Sequence, residues 1–434
     1  MYNRKARMCY KMVAGLMVMG LLAGCGAGKD NSTTNTETSE SVPDGTQTST
    51  TTDAEKSQEK FDENSEETRK KTAEIEGILD KYFYFDQDSE KRDEAYYDGI
   101  MKGLDDPYSV YYTPEEFKQK QVSESGTFAG IGATVSKSKE DNTIYIVEPM
   151  KDSGAEKAGL EAGDIIVQVD DFELTTETSL EETVSKLRGE EGTVVHLKIY
   201  RESINDFVEV DITRAIYDDT SVAYDILEGT NIAYMDISNF ADNTPDQFKE
   251  QLDEIEGKNV DGIIMDLRGN PGGSLKAVLI MLDYIIGDSE LADNCQTPGL
   301  LVETKDKNDV VMDNYICSDG HAIDGIPMVV LVNGNSASAS EIFAGCMQDY
   351  GRGTIVGEQT YGKGIVQNII PLSDGSAIKI TIAKYFLPSG RDIHTYGIEP
   401  DVKAEISEEH MKLKVLDVED DDQLQAGIKV IEGE

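Results

Sequence analysis

Positive charge is scarce in this sequence: 40 Lys and Arg stand against 84 Asp and Glu, a formal net charge of −44 over 434 residues. A phosphate backbone is held by clustered cations, and beyond Arg4, Lys5, Arg7 and Lys11 no basic stripe occurs, so nucleic-acid binding is excluded. Cysteine is sparse too. Cys9 and Cys25 lie near the N-terminus, while Cys295, Cys317 and Cys346 form no C-x-x-C pair and have no histidines at zinc spacing, so no metal is expected. Cys295 and Cys317 could pair in an oxidising compartment, although spacing alone does not decide geometry. Only four histidines exist, His196, His321, His394 and His410, and none sits in a loop built like the serine and lysine loops described below. That argues against a Ser-His-Asp triad. No cofactor is implied.

The N-terminus has basic residues followed by an apolar run, Met12 to Gly24, which is too short for the roughly 20 residues that span a bilayer. It ends in Leu22-Ala23-Gly24-Cys25, which resembles the lipobox of bacterial lipoproteins. The resemblance implies a signal peptide over 1–24, lipidation of Cys25, and an extracytoplasmic protein anchored to the cell membrane. Residues 25–66 are rich in Ser, Thr, Asn, Asp and Glu and too poor in large apolar groups to offset chain entropy, so they read as a disordered tether.

The remaining length exceeds what one core usually organises. Residues 67–121 read as a small helical region that packs on the catalytic body, with Ile75, Ile78, Leu79 and Tyr82 at helical steps. Residues 122–214 alternate short strands with Gly-rich turns. Residues 215–408 alternate buried strands, such as Gly262-Ile263-Ile264-Met265-Asp266 and Met328-Val329-Val330-Leu331-Val332, with helices, which predicts a mixed α/β fold with sites at strand C-terminal ends. Residues 409–434 form an acidic C-terminal segment of unassigned structure.

Three loops could carry chemistry. Asp266-Leu267-Arg268-Gly269-Asn270-Pro271-Gly272-Gly273 joins a strand to a helix, so it is either a plain turn or a place where backbone N–H groups meet an oxyanion. Asn333-Gly334-Asn335-Ser336-Ala337-Ser338-Ala339-Ser340-Glu341 also precedes a helix. Ser338 and Glu341 fit a capping box there, a role compatible with a serine whose developing charge meets the positive end of the helix dipole. In Thr360-Tyr361-Gly362-Lys363-Gly364-Ile365-Val366-Gln367, Lys363 lies between two glycines, and even spacing places Gln367 on its strand face. Ser136 and Lys139 match an S-x-x-K pattern but lack the partner motifs of such a site.

The segment 122–214, with Gly130-Ile131-Gly132 and Ala158-Gly159-Leu160-x-x-Gly163-Asp164, resembles a PDZ domain of the permuted bacterial type. Together with the Ser-Ala-Ser-Ala-Ser-Glu and Tyr-Gly-Lys-Gly loops, and from Leu104-Asp105-Asp106-Pro107-Tyr108-Ser109 to Gly397-Ile398-Glu399-Pro400-Asp401, the chain resembles the C-terminal processing peptidases. The resemblance implies an α/β serine peptidase core with Ser338 as nucleophile, Lys363 as general base and Gln367 holding the lysine. Ala339 and the pair Gly272 and Gly273 would form the oxyanion hole, and Gly130, Ile131 and Gly132 would bind protein or peptide substrates with apolar C-termini. A lysine acts as base only when neutral, so moving its pKa from about 10.4 to about 7 requires roughly 4–5 kcal/mol of destabilisation of the ammonium. A dry pocket can supply that. The alternatives are a catalytically silent PDZ scaffold at the cell surface, or a tricorn-core-like or retinoid-binding relative lacking the Ser/Lys loops.

Overall fold

The computed structural model describes residues 65–433 apart from 139–140, 289, 291, 293–294, 296, 319–324 and 414–415. The expected signal peptide, Cys25, the tether up to residue 64, and His321 lie outside the described residues. Described residues 65–96 belong to one compact unit and 97–433 to another.

The first unit holds helix Glu66–Tyr82 and the start of helix Ser89–Lys102. Ser65 caps the former by accepting the Thr68 N–H, and Glu66 and Glu67 suit the positive end of its dipole. No residue of Glu66–Tyr82 is buried.

In the second unit, a smaller domain is an antiparallel sheet of Ala133–Lys137, Ile144–Pro149, Ile165–Val169, Val194–Arg201 and Asp206–Thr213, in that spatial order, with Phe172–Glu173 paired to the middle strand. Strand alternation explains its core. Val195, Leu197 and Ile199 point inward, where they meet Ile146, Ile166 and Ile212, while His196 and Lys198 face out. Helix Leu180–Leu187, capped by Ser179, packs against Ala133–Lys137, which is an edge strand. Arg201 holds the Gly163–Asp164 turn through two 2.7 Å bonds to Asp164. The chain enters and leaves this domain side by side, because Thr127–Gly130 pairs antiparallel with Ala215–Asp218.

The larger domain is built on a six-stranded sheet ordered Val222–Ile226, Ile232–Ile237, Gly262–Asp266, Met328–Val332, Thr354–Gly357, Val402–Lys403, parallel except for the first pair. The continuous apolar strands are covered on both faces, as parallel strands must be. Ile263, Met265, Val330 and Val332 meet helices Thr244–Glu256, Leu275–Asp283 and Ala339–Asp349 on one side. On the other, Ile264, Val329 and Leu331 meet Leu424 and Ile428. These last two residues belong to helix Asp422–Glu432, so the acidic segment 409–434 supplies a layer of the core. Gly427 allows its close approach, since a Cβ there would lie 3.2 Å from Leu331.

A second, antiparallel sheet carries the lysine loop. The long strand Ala377–Phe386 pairs with Ile365–Pro371 along one edge, and with Val110–Tyr112 and Leu300–Lys305 at the two ends of its other edge.

Candidate active site

The serine loop leaves the C-terminal end of Met328–Val332, and the Gly-rich loop leaves the neighbouring strand Gly262–Asp266. The two loops are stitched together. Ser336 Oγ donates to Leu267 O at 2.8 Å, Ser340 Oγ to Asn270 O at 2.9 Å, the Ala337 N–H to Asn270 O at 3.1 Å, and the Gly269 N–H to Asn333 Oδ1 at 3.0 Å. Ser336 and Ser340 are 0% exposed, and these bonds consume their hydroxyls. Of the three serines in the motif, only Ser338 is partly exposed.

Ser338 has φ 56° and ψ −113°, a positive φ that a side chain rarely tolerates without surrounding support. The expected capping box is present in outline, with Glu341 Oε2 accepting the Ser338 N–H at 2.8 Å. The Glu341 N–H donates to Ser338 O at 2.9 Å, and the Ser338 hydroxyl makes no side-chain cap hydrogen bond. Gly272, at φ 96°, lies against this turn; a Cβ there would stand 2.9 Å from both Ser338 Cβ and Ala339 N. Its own N–H donates to Asn270 Oδ1 at 2.9 Å. The N–H groups of Gly273 and Ala339 donate to no backbone carbonyl.

Glu341, 0% exposed, does more than cap. Its Oε1 accepts the Gly362 N–H at 2.7 Å and the Thr360 hydroxyl at 2.7 Å, and its Oε2 accepts the Lys363 N–H at 2.8 Å. One carboxylate oxygen therefore receives the amides of both Ser338 and Lys363, so these two nitrogens lie no more than twice that distance apart. Above them Tyr385 Oη donates to Lys363 O at 2.6 Å and stands 3.2 Å from Ser338 O. The glycines flanking the lysine allow this packing. Cβ atoms at Gly362 and Gly364 would collide with the backbones of Thr395 (2.9 Å) and His394 (2.5 Å).

Burial pushes the Lys363 ammonium below the ordinary lysine range, with Lys379 and Lys120 adding to the effect and Glu341 and Asp106 opposing it. The Nζ lies 5.0 Å from the centre of the Tyr108 ring. Gln367 does not hold it: no hydrogen bond joins the two, and Gln367 Nε2 is buried without a partner. Even spacing fails here because Lys363 precedes the strand, which begins at Ile365. A cavity of about 560 Å³ opens beside the loop, walled by Asp106, Tyr108, Tyr361, Ile365, Thr381 and His394. His394, whose Nδ1 is buried without a partner, is thus nearer the site than the sequence indicated. Nothing in its local pattern signals this.

In the smaller domain, Ile131 is part of the core, and Gly132 adopts φ 75° against Ser153 and Tyr217. Their carbonyls accept the Ala155 and Met150 N–H groups, while their own N–H groups meet no backbone acceptor. Gly130 ends the strand paired with Ala215. Cys295 and Cys317 do not pair. They and Cys346 are free thiols, and burial pushes Cys317 up to about 12. Among the described residues no cluster of side chains suits a metal, and no helix is long and apolar enough to cross a membrane.

Both domains match known families. Peptidase family S41 matches residues 231–404, and the PDZ domain matches residues 145–201. The chain belongs to the C-terminal processing peptidases. It is 36% identical over 322 residues to a carboxy-terminal-processing protease of Bartonella bacilliformis, covering 73% of this chain and 70% of the relative. To a carboxyl-terminal-processing protease of Synechocystis sp. it is 34% identical over 319 residues, 72% of each. A CtpA-like relative from Staphylococcus epidermidis is 38% identical over 333 residues, 77% of this chain; the chain spans 65% of that relative's length.

Proposed function

We propose that this chain is a serine endopeptidase that captures protein C-termini through its PDZ domain and cleaves peptide bonds with a Ser338/Lys363 dyad. The observation that carries the reading is the shared carboxylate: Glu341 Oε2 takes the amides of nucleophile and base together. Partial burial of the lysine supports it, because a lowered pKa favours the neutral amine that can accept a proton. In the first step Ser338 Oγ attacks the scissile carbonyl carbon while its proton passes to Lys363 Nζ. The resulting oxyanion meets the N–H groups of Ala339 and Gly273; Gly272, whose N–H is already taken, shapes the hole by lacking a side chain. Collapse breaks the C–N bond, the lysine proton goes to the leaving amine, and water then releases the acyl group by the same route. Lys363 acts without help from Gln367 in this arrangement.

The PDZ groove lies between the edge strand Ala133–Lys137 and helix Leu180–Leu187, with the free N–H groups of Ile131 and Gly132 at one end. Such a nest suits a terminal carboxylate, and the edge accepts the peptide as an added strand, apolar side chains toward the helix. Lipidated at Cys25, the enzyme works outside the cytoplasm at the membrane surface, on a tether.

The test is cleavage of an unstructured protein by the parent chain, Ser338→Ala and Lys363→Ala. Loss of activity in both variants, with unchanged thermal unfolding, is the expected result. Cleavage surviving both would refute the dyad, and no cleavage by the parent would favour a silent PDZ scaffold.

A further inference from the structure

An aromatic partner of the Lys363 amine comes from far away in the sequence. Tyr108 presents its ring to Nζ at 5.0 Å, and its placement is over-determined. Asp106 Oδ1 accepts the Tyr108 N–H at 3.0 Å, and Asp106 Oδ2 accepts the hydroxyls of Ser109 at 2.6 Å and Thr381 at 2.7 Å. Ser109 Oγ in turn accepts the Thr381 N–H at 3.1 Å. Thr381 lies on the long strand that pairs with Ile365–Pro371, so Asp106 fastens the Tyr108 turn to the sheet that carries the lysine. At its outer edge Tyr108 Oη stands 3.4 Å from Tyr361 Oη, two residues before Lys363.

We propose that Tyr108 is a positioning residue for the base: its ring face receives the ammonium that Lys363 becomes when it takes the Ser338 proton. The inference rests on the Ser/Lys reading above. An aromatic face attracts a cation and offers little to a neutral amine, so its contribution appears only after proton transfer, when charge has separated. The charged groups around Nζ are Glu341 from helix Ala339–Asp349 and Asp106 from the turn, which favour the ammonium, and Lys379 from the long strand and Lys120 from helix Pro114–Ser125, which oppose it. Tyr361 and His394 wall the adjoining cavity. A ring stabilises the cation without bringing another full negative charge, which would keep the lysine protonated before the reaction begins.

The experiment measures casein cleavage against pH for the full chain, for Tyr108→Phe, for Tyr108→Leu, and for a chain with Tyr108 replaced by pentafluorophenylalanine. The fluorinated ring keeps the shape of the side chain but loses its negative face, so its effect does not depend on how well the leucine variant folds. Tyr108→Phe is expected to hold kcat within about twofold. The leucine and fluorinated variants are expected to lose roughly 3- to 30-fold in kcat, with the acid limb of kcat/KM moved to lower pH. A fluorinated variant that matches Tyr108→Phe in both rate and limb would overturn the proposal, as would a folded Tyr108→Leu with parental kcat. Lys363→Ala runs alongside. If it still cleaves, the dyad itself is wrong; if it is inactive while the Tyr108 variants are normal, only the role of Tyr108 fails.

Discussion

Ser338 and Lys363 meet over the same carboxylate, yet the protein places them by different means. Ser338 is fixed through its backbone: a positive φ, two neighbouring serines buried and bonded to the Gly-rich loop, and a glycine whose missing Cβ leaves room for the turn. A short side chain then has little freedom left. Lys363 is fixed through its backbone only as far as Cα, by Glu341 and Tyr385, and its long side chain depends on surroundings contributed by other segments: Tyr108, Lys379, Lys120 and the cavity wall. The serine's geometry is thus local and rigid. The lysine's electrostatics are non-local, set by burial and charge.

The most damaging way to break this comparison is to remove what the two loops share. Glu341→Gln keeps the shape of the side chain but replaces one acceptor oxygen by a donor, facing four groups that all donate. At least one buried N–H or hydroxyl is then left unpaired, and the charge assistance is lost from the rest. The expected cost is about 2–5 kcal/mol of stability, with cleavage reduced at least about a hundredfold because both loops shift together. Denaturant unfolding and single-turnover kinetics measure the two effects separately. Near-parental activity in a folded variant would show that serine and lysine are held independently.

The local half of the candidate site was readable from residue types. A Ser-Ala-Ser turn between an apolar strand and a helix, and glycines around a lone lysine, reflect backbone demands that only those residues meet. The Gly-rich turns between short strands over 122–214 likewise marked the PDZ domain. The non-local half left no such trace. Val110–Tyr112 pairs with Ala377–Phe386 across most of the chain, so nothing near Tyr108 in sequence marks it as the lysine's neighbour. Glu341 fits the capping pattern in the sequence, and its bonds to Thr360, Gly362 and Lys363 exist only after the sheet forms. In the C-terminal segment the acidic surface residues concealed Leu424 and Ile428, although their four-residue spacing is the signal of a buried helix face. Even spacing put Gln367 on the face of Lys363, but the alternation does not reach back past the start of the strand at Ile365.

A narrower change tests the rigid side alone. Ser336→Ala removes two bonds made by a buried hydroxyl, one donated to Leu267 O and one accepted from the Asn333 N–H at 3.0 Å. A loss of about 1–3 kcal/mol is expected, visible as a lower Tm. Once folded, the variant should cleave within several-fold of the parent, because Ser338 retains Glu341, Gly272 and the Ser340 bond. If Ser336→Ala were as inactive as Ser338→Ala in a folded protein, the choice of Ser338 as nucleophile would be in question.

The smallest effect sharpens the other side. Lys379 disfavours the Lys363 ammonium by like-charge repulsion, so its presence lowers the lysine's pKa. Lys379→Met removes that repulsion and raises the pKa, leaving more of the base protonated at neutral pH. On the proposed Ser/Lys mechanism activity rises with pH as Lys363 loses its proton, so the acid limb of kcat/KM should move upward by a few tenths of a pH unit, with the alkaline plateau unchanged. The direction is opposite to that expected for Tyr108→Leu, where a group that favours the ammonium is lost. Two substitutions around one amine should therefore displace the same limb in opposite senses, while Ser336→Ala leaves it in place. A limb that ignores both would mean that the titration seen in the rate belongs to some group other than Lys363.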